Sequence, residues 1–218
     1  MGTCGVGPHV PTIHPMLLAF DTSSAACTAA LFDGEGNCTD ERDEVIGRGH
    51  SERLVPMIAE LLDGRRPKSI LVGVGPGSFT GIRVAIAAAH GLAIGWGSKL
   101  TGMSSLALLA AGVDRDGEIA AAVLGGHGEL FVQQFDGASG DPTTELRNLA
   151  PAEAAQLVTA DIVVGSGASQ LVAARGFGQA REAWPSAADA LRLPEGLRSL
   201  PAKPVYARAP DARVREAA

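Results

Sequence analysis

An α/β fold of two related lobes is what this sequence predicts, on three observations. Three short apolar runs bounded by Gly, Asp and Ser come in succession before the first helical pattern, after which strands and helices alternate. The same order returns in fainter form after residue 113. The composition suits tight helix-on-sheet packing: 28 glycines, abundant alanine and only 4% aromatic residues leave small side chains to fill the interior.

Residues 1–15, MGTCGVGPHVPTIHP, have no periodicity and read as a disordered extension, with Met16 a second candidate start. Leu17–Phe20 reads as a buried strand, Asp21–Ser24 as a turn and Cys27–Phe32 as a second strand; Asp33-Gly34-Glu35-Gly36 turns the chain into a third. Leu54, Val55, Ile58, Leu61 and Leu62 recur at helical spacing within 50–63, and Gly64 ends the pattern. Ser69–Val74 suits a central strand, followed by the glycine-rich loop GPGSFTG and a small-residue helix from about Thr80 to Ile94. Residues 16–112 thus form an expected first lobe. In the expected second lobe, 113–218, Ile119–Leu124 and Leu130–Asp136 pair around Gly125–Gly128. A helix over 152–158, a strand over 161–164 and a helix near 169–174 follow.

Several function classes are disfavoured at once. The net charge of −6 disfavours direct nucleic-acid binding, which draws affinity from phosphate neutralisation, although residues 64–113 lack Asp and Glu and carry Arg65, Arg66, Lys68, Arg83 and Lys99. Residues 198–218 also lean basic. Cys4, Cys27 and Cys38 have neither metal-ligand spacing nor an even count. No run of about 18 consecutive apolar residues suggests a membrane span, so the expectation is a cytoplasmic protein with no membrane partner. His50 precedes Leu54 by four residues, and His90 and His127 stand apart, so the HxxxH pair of a metal-dependent hydrolase is missing and no metal site is expected. Ser78 lacks the GxSxG context of a serine nucleophile.

Two stretches hold candidate chemistry. Asp21-Thr22-Ser23-Ser24 can present hydroxyls and backbone N–H groups to a phosphate while the carboxylate holds magnesium through water; equally, Asp and Ser make such turns by bonding their own backbone. Gly75-Pro76-Gly77-Ser78-Phe79-Thr80-Gly81-Ile82-Arg83 is a strand-to-helix loop suited to an anion or to tight packing, without the lysine or spacing of a P-loop.

Taken in order, the DTSS turn, HSERLVPMI, GVGPGSFTGIRVAIAAAHGLA, GMSSLALLA and PVYARAP resemble the TsaB family. The resemblance is dense from Met16 to Ala111 and then rests on GELF at 128–131 and Pro204-Val205-Tyr206. It implies two ribonuclease-H-like lobes of the actin-like ATPase fold, and a role in placing threonylcarbamoyl on the adenosine 3′ of the anticodon in tRNAs that read codons beginning with A. The role implied is that of a non-catalytic subunit that binds and activates TsaD, works with TsaE, meets tRNA only through the complex and forms a homodimer when alone. The family docks through its first-lobe helices, which here makes His50, Arg53, Leu54, Met57, Ile86 and His90 the expected interface. Asp21, Thr22, Gly75, Gly77, Ser78, Thr80, Gly81 and Arg83 are then a vestigial nucleotide site, with no cofactor held by the chain alone and ATP or ADP only at the junction with TsaD. One departure stands out: the family's second turn reads DARxGE, whereas this chain has Leu124-Gly125-Gly126-His127-Gly128-Glu129. Both the acid and the arginine are gone. The rivals are an independent phosphotransferase and a metallopeptidase of the same fold.

Overall fold

A computed structural model describes residues 16–113 and 116–206; the expected extension at 1–15, the tail beyond 206 and the last four residues of PVYARAP lie outside the described residues. The first half runs β1 (Leu17–Asp21), β2 (Ala26–Phe32), β3 (Cys38–Val45), α1 (His50–Leu62), β4 (Ser69–Gly73), α2 (Phe79–Trp96), β5 (Lys99–Met103) and α3 (Ser105–Ala111). The second runs β6 (Glu118–Leu124), β7 (Leu130–Asp136), β8 (Arg147–Leu149), α4 (Pro151–Leu157), β9 (Ile162–Val164), α5 (Ala168–Arg175) and β10 (Gln179–Arg181). A 3-10 turn over Ala187–Arg192 and a short α6 (Glu195–Arg198) complete it.

Each half builds one five-stranded sheet, in the orders β3-β2-β1-β4-β5 and β10-β9-β6-β7-β8. The hairpins β1–β2 and β6–β7 are antiparallel, while β1–β4 and β6–β9 are parallel and need the crossover helices α1 and α4. Replacing β1, β2, β3, β4 and β5 by β6, β7, β8, β9 and β10 turns one order into the other. The faint repeat in the sequence is therefore a full repeat of topology, consistent with the two-lobed actin-like fold.

Alternation along the strands sorts side chains into separate layers. Leu18 and Phe20 of β1 face outward into a core with Leu54, Met57 and Leu61 of α1 and Ile82, Ala85 and Ala89 of α2. Ala19 faces the other way, into a core shared by both sheets, where α3 and the 187–192 turn fill the space between them with Leu106, Leu109, Ala187 and Ala190. A third core lies under α4 and α5 on the far face of the second sheet.

The second lobe was expected to run over 113–218, and its end reaches back beyond its own sheet. After β10 the chain returns to the first sheet: Ala187 N donates to Thr28 Oγ1 at 2.7 Å, Gly102 and Leu200 exchange backbone bonds of 2.7 and 3.0 Å, and Val205 N donates to Val74 O at 2.9 Å. Several elements are also additions to the sequence reading. β5 and α3 went unassigned there because KLTGM is broken by polar residues, and because α3, buried between two sheets, shows no polar stripe. β8 and β10 are three residues each, β8 partly buried and β10 exposed, and both are too short for a periodic signal.

Candidate functional site: the buried clasp and the interlobe cleft

The DTSS turn and the GPGSFTG loop, 50 residues apart in sequence, close on each other at the ends of β1 and β4. Asp21 is fully buried, and both carboxylate oxygens are engaged: Oδ1 accepts from Ser23 N at 2.6 Å and Oδ2 from Ser105 Oγ at 2.5 Å. The same Ser105 oxygen accepts from Gly75 N at 3.1 Å. Thr22 Oγ1 donates to Gly81 O at 2.7 Å, and Ser78 N donates to Ser23 O at 2.7 Å. Two glycines permit this approach, since a Cβ would stand 2.2 Å from Ser23 O at Gly77 and 1.9 Å from Thr22 O at Gly81. The candidate nucleotide residues Asp21, Thr22, Gly75, Gly77, Ser78 and Gly81 are thus assembled into one clasp whose polar groups bond each other. Ser78 also caps α2, its side chain accepting from Gly81 N.

Thr80 and Arg83 stand outside the clasp, exposed on the first turns of α2. The Arg83 guanidinium lies 3.2 Å from the centroid of the Phe79 ring and 5.2 Å from that of Tyr206, and it donates to Phe79 O at 3.1 Å. This stack forms the rim of a cleft of about 770 Å³ between the two lobes. Its other walls come from the hairpin turn (Ser24), the second lobe (Leu124, Gly126, Phe131, Ser166) and the returning chain (Trp184, Val205). Among the described residues no Asp or Glu lines it, and no group of three or more His, Cys, Asp and Glu is placed to hold a metal ion. Sequence reasoning missed Trp184 altogether and had Phe79 and Tyr206 only as parts of the loop and of the family motif; the i, i+4 spacing of Phe79 and Arg83 was the available signal for the stack.

The expected interface residues do not form one exposed patch. Leu54 and Met57 are fully buried and Ile86 nearly so, all in the core beneath α1 and α2. Helical spacing reveals an apolar stripe but not which stripe meets the sheet, and the more apolar one went inward. Arg53 is half-buried and tied on its own surface, with Glu44 at 2.5 and 2.7 Å and Glu60 at 2.9 Å. Hydrogen bonds from Arg53 hold both carboxylates below their usual range. His90 is exposed, its Nε2 3.3 Å from Ala202 O, whereas His50 Nε2 is buried without a hydrogen-bond partner. What α1 and α2 do expose are other apolar and small residues: Val55, half exposed, and Ala59 on α1, and Ala87, Gly91, Gly95 and Ile94, 83% exposed, along one stripe of α2.

A family model described as TsaD, tRNA N6-adenosine threonylcarbamoyltransferase, matches residues 42–170, more than half of the chain. Among solved structures, an uncharacterized protein with similarity to peptidase YEAZ from Pseudomonas aeruginosa superposes with a TM-score of 0.74 at 31% identity, covering 89% of this chain and 100% of that one. The chain belongs to the TsaB (YeaZ) family. YeaZ from Pseudomonas aeruginosa superposes with a TM-score of 0.71 at 30% identity, over 88% of this chain and 99% of that one. A curated relative, the tRNA threonylcarbamoyladenosine biosynthesis protein TsaB of Escherichia coli K12, is 34% identical over 128 residues, 55% of this chain and 54% of its own. The TsaB of Haemophilus influenzae is 39% identical over 100 residues, 43% and 41% of the two chains. The chain thus spans about half the length, or less, of the curated relatives it matches. α2 is long and apolar enough, by length and composition, to cross a membrane; it packs Ile82, Ala85, Ile86 and Ala89 against the first sheet.

Proposed function

We propose that this chain serves tRNA threonylcarbamoyladenosine biosynthesis as a non-catalytic, cytoplasmic subunit that binds and activates TsaD. The observation that carries the reading is the small-residue face of α2, Ala87, Gly91, Ile94 and Gly95, flanked by Val55 of α1. Helices with such a face approach one another closely, and an 83% exposed isoleucine is better covered than left in water. In isolation the same face pairs two copies of the chain, and in the complex TsaE and tRNA are reached through TsaD. Bond chemistry belongs to the partner. The only buried carboxylate among the described residues, Asp21, already spends both oxygens inside the clasp, which favours a structural role for it and leaves ATP or ADP to the junction with TsaD.

The test is a purified transfer assay with cognate TsaD and TsaE, with and without this chain. Transfer should require the chain, and Ile94→Glu should abolish both TsaD binding and transfer while leaving the melting temperature nearly unchanged. Equal transfer without the chain, or turnover of a substrate by the chain alone, would overturn the proposal.

A further inference from the structure

Among the described residues, the interlobe cleft is lined by hydroxyl and guanidinium donors and by no carboxylate. Ser24 Oγ accepts from Ala26 N at 3.0 Å, Ser78 Oγ from Gly81 N at 3.2 Å and Ser166 Oγ from Leu124 N at 3.1 Å. Each bond fixes the hydroxyl oxygen and leaves its O–H proton to donate elsewhere. All three serines line the cleft, as does Arg83. The remaining walls are aromatic and aliphatic, with Leu124 43% exposed at the end of β6. A volume of about 770 Å³ falls within the range of pockets that enclose a small organic molecule.

We infer that this cleft is a binding site for a planar aromatic molecule bearing one anionic group, a carboxylate or a phosphate monoester, taken up without a divalent cation. The ring enters among Phe79, Phe131, Trp184 and Tyr206, where offset or edge contacts add to apolar burial. The anionic group meets the Arg83 guanidinium, which only donates and repels a cation, and the O–H groups of the serines. A magnesium-bound nucleotide is a poor match, because among the described residues no carboxylate lines the cleft to hold the metal or its waters. The inference goes beyond the partner role proposed above and does not depend on it, since the helix face and the cleft are different surfaces.

The experiment is calorimetric titration of the full chain with 2-naphthoate as probe, and with 2-naphthamide as its neutral counterpart, each with and without magnesium. Naphthoate should bind one to one, magnesium should not matter, and the amide should bind roughly tenfold more weakly, about the worth of one charge-assisted hydrogen bond. Arg83→Gln should weaken naphthoate by a similar factor and leave the amide unchanged. Leu124→Glu, at an exposed position that the fold does not need, should weaken naphthoate more than the amide by introducing a like charge. No saturable binding of naphthoate at millimolar concentration, equal affinity for the two probes, a requirement for magnesium, or indifference to both substitutions would each overturn the inference.

Discussion

Removing the Ser105 hydroxyl tests the claim that the DTSS turn is a structural clasp. In Ser105→Ala, Asp21 Oδ2 loses the donor at 2.5 Å and Gly75 N loses its acceptor at 3.1 Å, both in buried surroundings. A hydrogen bond to a charged group contributes about 1.5–3 kcal/mol and an unsatisfied buried amide costs about 1 kcal/mol or more, so the loss should be near 3 kcal/mol. For a chain of this length, each kcal/mol moves the melting temperature by about 2–4 °C, which gives a fall of about 6–12 °C. Thermal denaturation by circular dichroism reads it directly. A cycle with Asp21→Ala and the double variant should return a coupling above about 0.5 kcal/mol, because the two groups share one bond. A fall below about 2 °C, or additive single variants, would refute the clasp and reopen Asp21 as a free ligand group.

Leu54→Ala should cost about 2–5 kcal/mol in chemical denaturation, as expected of a buried leucine and not of an interface contact. The Arg53 cluster adds an acid-sensitive element. Glu44 and Glu60 are held below their usual value of 4.5, so their contribution is complete above that pH and disappears as pH falls through the lowered folded-state values. Arg53→Gln should therefore flatten the decline of stability below pH 4.5 in a pH series of melts. Burial lifts the Cys27 thiol to about 11, while Cys38 is exposed and raised less, by desolvation and then by Glu41. Peptide mass spectrometry after brief alkylation at neutral pH should find Cys38 modified well ahead of Cys27, and faster as pH rises.

What the sequence disclosed and what it withheld follow one physical line. α1, α2 and the β1–β2 hairpin were readable because their partners are close in sequence or their periodicity is strong: five apolar residues of α1 recur on one stripe, and Gly97 ends α2 in the left-handed conformation that glycine favours. α3 was not assigned, because all of Ser105–Ala110 is buried and periodicity vanishes when both faces are covered. The candidate residues of the turn and loop were found in sequence, yet their status depends on Ser105, which reaches Asp21 across 84 residues. The cleft needed still longer reach, since Trp184 and Tyr206 enter it only after the chain has crossed the second sheet and come back. On α1 and α2 the sequence does not tell which apolar stripe meets the sheet: Leu54 and Ile94 look equally apolar, and only the position of the sheet leaves the first buried and the second exposed.

The chain's return to its starting sheet has a mechanical consequence. With α3 and the 187–192 turn wedged between the sheets, and Thr28, Gly102 and Val74 each bonded to the returning segment, the two halves share a wall instead of a hinge. Opening and closing like a jaw would mean tearing a continuous apolar interior, which close-packed side chains do not yield smoothly. The two halves should therefore unfold as one body, and a single calorimetric transition instead of two is the expected result.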